Sequence, residues 1–291
     1  MAVVDLQKAF VDERRYLKNV TAKTLIWYRS SFRAFSKHLD SITAEGQIKA
    51  GVKAGIIHLL EERGITPVSV NVYLRCLNAF FKWLHEEDHV TQLIRIPKLK
   101  VEKKVLTILT DEEIRTLIGY RPAGCNQQRA WALVILILDT GLRADEALNL
   151  RKVDVDFDNL LITVKKGKGQ KQRIVPCSFP LRKMIYKFIK SHSHEQSPYI
   201  FTTRNGTVVS QRNALRDMKG IGSAVGIPGL RFHLLRHAFA TNYLKTGGSI
   251  ALLRKVMGHS QISTTCIYEH LATEDLSKAH HQHSALVTTA R

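Results

Sequence analysis

The sequence lacks long apolar runs, has few cysteines and is short of acid. Its longest uninterrupted apolar stretch runs only from Trp131 to Leu138, whereas a helix that crosses a bilayer takes about 20 such residues. No membrane partner is expected. Asp5, Asp12 and Glu13 interrupt the amino-terminal region, and no continuous apolar segment follows, so a secretory signal is not expected either. The cysteines are Cys76, Cys125, Cys177 and Cys266, without a C-x-x-C pair. That pattern suits reduced thiols in a cytoplasmic protein better than a disulfide framework or a cysteine-based zinc site. The glycine-rich stretch Lys165–Lys171 lacks the G-K-[S/T] ending of a P-loop, and His233-Leu-Leu-Arg-His237 lacks the glutamate of H-E-x-x-H. Neither a nucleotide loop nor a zinc-protease motif is present, and no metal or other cofactor is expected.

What is abundant is positive charge. Lys and Arg number 44 against 25 Asp and Glu, a formal net charge of +19. Such an excess favours a polyanionic partner, because each neutralised phosphate releases condensed counterions. Membrane surfaces are also anionic, so charge alone does not choose between nucleic acid and lipid. With 291 residues and 44% apolar content, the chain can build two ordinary globular domains.

Residues 1–97 read as helices. Thr24, Tyr28, Phe32 and Phe35 recur at helical spacing, as do Val70, Tyr73, Leu74, Leu77, Phe80, Phe81 and Leu84. Ser69, with Pro67 just upstream, marks the expected start of the second helix. Pro97 opens a basic run, Lys98 to Lys104, which reads as an interdomain linker carrying Lys98, Lys100, Lys103 and Lys104. Residues 1–97 hold 14 basic and 10 acidic side chains, and residues 98–291 hold 30 and 15. Residues 98–291, the linker with the second part at 105–291, are therefore the more basic.

In that part Thr110 followed by Glu113 predicts a capped helix start. Residues 130–138 read as a buried helix ended by Asp139-Thr-Gly141, with another helix beginning near Leu142. Leu160–Val164 and Arg173–Val175 are β-prone and flank a glycine-rich tip, predicting a hairpin. Helix returns from Arg231, with Ser249 as the expected amino-terminal cap of the last helix and Gly258 as its stop.

Taken singly, the chemically able residues are modest. Arg143 follows a glycine turn and can pair with Glu146 at i+3 on a helix surface. Lys165, Lys166, Lys168, Lys171 and Arg173 cluster about the hairpin tip, where contact with a DNA backbone or with solvent is the plain reading. His233 and Arg236, three apart, can meet one phosphate together. His237, beside the fixed charge of Arg236, reads as structural; His259 reads as a cap or packing group and Tyr268 as core or surface.

In order, however, Thr140-Gly-Leu-Arg-Ala-Asp-Glu146, Gly167-Lys-Gly-Gln-Lys171, His233-Leu-Leu-Arg-His237, Met257-Gly-His-Ser260 and Thr264-Thr-Cys-Ile-Tyr268 resemble the tyrosine recombinases, the phage-integrase-like enzymes, over nearly the whole chain. The patterns Thr24…Tyr28…Phe32 and Asn71…Leu77…Phe80-Phe-Lys-Trp83 are similar to that family's helical core-binding domain. Met257 stands where leucine is more usual, a volume-conserving change.

The resemblance implies a mainly α, two-domain DNA clamp: an all-α (SAM-like) core-binding domain and an α+β catalytic domain with a small antiparallel sheet. It implies site-specific DNA recombination. Tyr268 would attack the scissile phosphate, giving a 3′-phosphotyrosyl link, and Arg143 and Arg236 would bind the non-bridging oxygens. Lys168 would protonate the leaving 5′-oxygen, His233 would act as general base, His259 would hydrogen-bond the phosphate and Glu146 would support Arg143. It further implies a homotetramer on two duplexes passing through a Holliday junction, a monomer or weak oligomer off DNA, no cofactor, and a cytoplasmic, nucleoid-associated location. The chain is expected to be of the compact type without an arm-binding domain. A type IB topoisomerase and a catalytically silent DNA-binding protein are the alternative readings.

Overall fold

A computed structural model describes residues 2–40, 42, 44–102, 107–165, 172–192 and 194–258. The contacts divide the chain into two compact units, Met1–Val105 and Leu106–Arg291. Lys103, Lys104, Lys166, Lys168, Lys171, His259, Cys266 and Tyr268 lie outside the described residues, as does the tail beyond.

Helices α1 (Val3–Tyr16), α2 (Ala22–Leu39), α3 (Ile48–Glu61) and α4 (Pro67–Glu86) build the first unit. The apolar spacing read in the sequence is its core: Tyr28, Phe32 and Phe35 of α2 and Val70, Leu74, Leu77, Phe80, Phe81 and Leu84 of α4 are buried. Phe10, Phe32 and Phe80 meet edge to face, with centroids 5.1–6.1 Å apart, an arrangement their ring quadrupoles favour. The start of α4 differs from expectation. Thr66 is the cap, accepting from the Ser69 amide at 3.4 Å, and Pro67 is the first helical residue. Proline suits that position, since its missing N–H would have no helical partner.

Two asparagines on α4 then fix the chain that leaves the helix. Asn78 exchanges two hydrogen bonds with the backbone of Ile96, at 2.9 and 2.8 Å, and Asn71 does the same with Leu99, at 3.0 and 2.8 Å. Seven helical residues rise about 10.5 Å, close to the roughly 10 Å that three extended residues span. The basic run therefore starts as a segment held along α4, with Lys98 and Lys100 exposed on either side of half-buried Leu99.

The second unit contains α5 (Asp111–Gly119), α6 (Cys125–Thr140), α7 (Ala144–Leu148), β1 (Val155–Asp156), β2 (Leu161–Val164), β3 (Arg173–Pro176), α8 (Phe179–His192), α9 (Gln211–Ala224), α10 (Phe232–Lys245) and α11 (Ile250–Met257). The strands form an antiparallel sheet in the order β1-β2-β3, and Val164 opposite Arg173 closes the expected hairpin below its tip. Thr110 and Glu113 cap α5 reciprocally at 3.2 and 2.7 Å. Helix α6 packs against α8, α9 and α10, burying Leu133, Val134, Leu136 and Ile137. It starts at Cys125, earlier than its apolar run, because Asn126, Gln127 and Gln128 make a polar first turn that apolar periodicity does not reveal. Ser249 precedes α11 but makes no side-chain cap bond, and α8 and α9 have no counterpart in the sequence expectations.

Candidate active site

The site grows from two helix ends. Gly141 stops α6 at φ +62, where a β-carbon would collide with the Phe239 ring, so glycine meets both the backbone and the packing demand. The turn it makes delivers Arg143 to the start of α7. Gly258 stops α11 in the same way at φ +64. A helix leaves its last carbonyls without helical partners and presents a negative dipole end there. Three arginines answer those groups. Arg173 Nε donates to the Val256 carbonyl at 2.7 Å, Arg236 Nη2 to Met257 at 2.8 Å and Arg143 Nη2 to Gly258 at 2.8 Å. Arg236 also donates from Nη1 to the Gly141 carbonyl, so it joins the ends of α6 and α11.

Glu146 sits between two of these guanidinium groups. Its carboxylate accepts from the Arg143 amide at 2.8 Å and from Arg143 Nη1 at 3.0 Å. Arg173 meets it with a bidentate fork, 2.7 Å on both arms, the geometry in which arginine binds carboxylate best. Burial pushes the Glu146 carboxyl up, but the Arg173 fork, the Arg143 amide and the two positive charges hold it down at about 2. It is an anion at any ordinary pH. The expected i+3 partnership of Arg143 and Glu146 is present, and the structure adds the long-range partner Arg173.

The expected residues separate by exposure. Arg143 keeps 39% of its side-chain surface exposed, whereas Arg173 keeps 10%. Arg236 is buried and His233, one turn earlier on α10, is exposed. Arg231 stands at the amino-terminal cap of α10 without a capping side-chain bond. Half-buried His237 is shifted down by desolvation and by the neighbouring His233, Arg236 and Arg231, which favours the neutral ring of a packing residue. Lys165 pairs with buried Asp154 at 2.9 Å, at the base of the hairpin. Arg173, expected with the DNA-facing cations, lies inside the protein on Glu146.

Sequence reasoning did not find Asp154 or the carbonyls of Gly141, Val256, Met257 and Gly258. A signal for the carbonyls existed, since both glycine stops mark helix ends with unpaired acceptors.

The chain's similarity to known proteins decides its family. The phage integrase family matches residues 107–275, and the tyrosine recombinase XerA of Pyrococcus furiosus is 31% identical over 86% of this chain and 87% of its own. The chain belongs to the phage integrase family, the tyrosine recombinases. Another relative of this tyrosine recombinase, XerA of Thermococcus kodakarensis, is 33% identical over 80% of this chain and 82% of its own. The Tn1549 transposon integrase, solved in complex with a circular intermediate DNA, shares the fold with a TM-score of 0.79, at 18% identity over 94% of this chain and 99% of that one.

Proposed function

We propose that this tyrosine recombinase exchanges strands between specific sites in double-stranded DNA, with Tyr268 as the nucleophile. The observation that carries this reading is the pairing of Arg143 and Arg236 at the shared ends of α6 and α11, one turn from exposed His233. Two fixed cations beside an imidazole suit a phosphodiester: guanidinium forks match its non-bridging oxygens and do not lose charge at neutral pH. A preorganised donor aimed at charge that develops in the transition state is worth about 10²–10³ in rate.

The step balances without an external cofactor. The Tyr268 oxygen attacks phosphorus as His233 takes its proton, and the 5′-oxygen leaves with a proton from Lys168. His259 adds a hydrogen bond to the phosphate. The phosphotyrosyl bond conserves the energy of the broken one, so a second strand's 5′-hydroxyl can attack it and return the tyrosine. Repetition on the other strands passes through a Holliday junction and requires four copies on two duplexes. Lys98, Lys100, Lys103, Lys104, Lys165, Lys166 and Lys171 would contact the DNA backbone, in keeping with the net charge of +19. Such an enzyme works where chromosomal duplex is found, in the cytoplasm at the nucleoid.

Covalent capture tests the reading. The protein is incubated with a pool of nicked duplexes of randomised sequence, and denaturation-resistant protein–DNA adducts are isolated and sequenced. Wild type should yield adducts sharing a sequence, and Tyr268→Phe should yield none. Adducts formed by Tyr268→Phe, or none with wild type, would sink the proposal.

A further inference from the structure

The strongest feature the proposed function does not use is Arg173. We infer that Arg173 is a positioning residue that couples Glu146, and through it Arg143, to the carboxyl-terminal end of α11, and that it does not contact DNA. The inference rests on the functional reading above for its catalytic consequence and on geometry for the coupling itself.

The geometry is specific. Arg173 is the first residue of β3, directly across from Val164 at the end of the hairpin ladder. From there its guanidinium reaches two targets distant in sequence. Both arms of the fork lie on Glu146 at 2.7 Å and Nε lies on the Val256 carbonyl at 2.7 Å. Gly258 completes the fit, because a β-carbon at that position would stand 3.1 Å from Cδ, Cζ and Nε of Arg173. Nε and both arms of this guanidinium are engaged by protein acceptors, and its charge is matched by the Glu146 carboxylate, which leaves little for a phosphate to recruit.

The consequence follows from the shared carboxylate. Glu146 holds Arg143 by its amide and by Nη1, while Arg143 itself reaches Gly258. One fork thus sets the positions of a phosphate-gripping arginine and of the helix end from which the chain runs on to His259. The charged groups facing Glu146 are Arg143, at the junction of α6 and α7, and Arg173, on β3; α11 contributes carbonyls. Removing Arg173 leaves a desolvated carboxylate with one cation, so its titration moves up.

The test separates positioning from DNA contact. For Arg173→Ala and Arg173→Lys, affinity for a random-sequence duplex is measured against salt, along with the rate of adduct formation on the nicked duplex recovered by covalent capture. Positioning predicts wild-type affinity and an unchanged salt slope, with the adduct rate down about 10²-fold, the scale of a small misplacement of a reacting group. Arg173→Lys should not restore the rate, since lysine lacks the fork. Combining Arg173→Ala with Glu146→Gln should cost no more than the worse single change, as expected for residues acting as one unit. A salt slope reduced by about one, the mark of a lost phosphate contact, would overturn the inference, as would full activity of Arg173→Lys or additive losses. A DNA-free measurement stands apart from the functional reading. The ¹³C-detected titration of the Glu146 carboxyl should move toward the ordinary carboxylate range in Arg173→Ala, which removes both the fork and its charge. If it stays in place, the coupling is wrong even where adducts form; if it moves and wild type forms no adducts, the functional reading alone has failed.

Discussion

The two units bury different chemistry. Among the described residues, the first unit's core is apolar and rich in aromatic rings, and its one fully buried polar side chain is Ser31, which bonds back to the Trp27 carbonyl at 2.8 Å. The second unit's core is mainly aliphatic but encloses Thr140, Asp154, Ser197, Thr202, Arg236 and Thr241. Burying a charge is costly unless it is paired and hydrogen-bonded, and the first unit's core avoids that cost. The second unit accepts it where, on the proposed function, arginines must be rigid before a phosphate arrives. Helix ends help make this feasible, since orphan carbonyls at the ends of α6 and α11 solvate the Arg236 guanidinium in place of water.

The difference can be broken from either side. The largest effect is expected in the aromatic cluster. Phe80→Ala should cost about 3–5 kcal/mol of stability, and hydrogen exchange should quicken in α4 while α6 keeps its protection. Equal loosening of both helices would show that the two cores are not separate in stability. Next comes the ionic cluster, where Glu146→Gln should cost roughly 2–3 kcal/mol at neutral pH, the range of hydrogen bonds to charged groups. Because the folded-state Glu146 titration lies near 2, below its ordinary value of 4.5, its contribution is full above about pH 5 and is lost as the pH falls toward 2. The gap between wild type and Glu146→Gln, read from denaturant melts, should therefore close on acidification; a gap independent of pH would place the stabilisation elsewhere. The smallest effect concerns the segment leaving the first unit. Asn78→Ala should cost about 1–2 kcal/mol and expose the Ile96 amide to exchange, and unchanged protection there would mean that packing, not the asparagine clamp, holds the segment.

The fold was legible where the pattern is local. Apolar spacing located the cores of α2, α4 and α6, and glycines marked the ends of α6 and α11. The capping box of α5 followed from Thr110 and Glu113 alone. Local pattern placed the start of α4 near Pro67 and Ser69 but did not single out Thr66 as the cap, because both hydroxyls precede the apolar run and only the backbone decides between them. It was silent on the anchoring of residues 96–99, since an asparagine amide gives no sign of which distant backbone it will bond.

By itself, the sequence determined which chemical groups this tyrosine recombinase possesses and their order: Arg143 after a glycine turn with Glu146 three residues on, the His233–Arg236 pair, and the family to which the set belongs. Only the tertiary structure decided how those groups are held. Arg173 is separated from Glu146 by 27 positions and from Val256 by 83, and its location in a basic hairpin gave it the appearance of one more phosphate contact. The glycine stops mark helix ends with unpaired carbonyls, but every residue carries a carbonyl, and the letters do not say which side chain those of Gly141, Val256, Met257 and Gly258 will meet. They become binding partners because packing brings two helix ends, with their unpaired oxygens, against guanidinium groups, of which those of Arg173 and Arg236 are too buried to be satisfied by water.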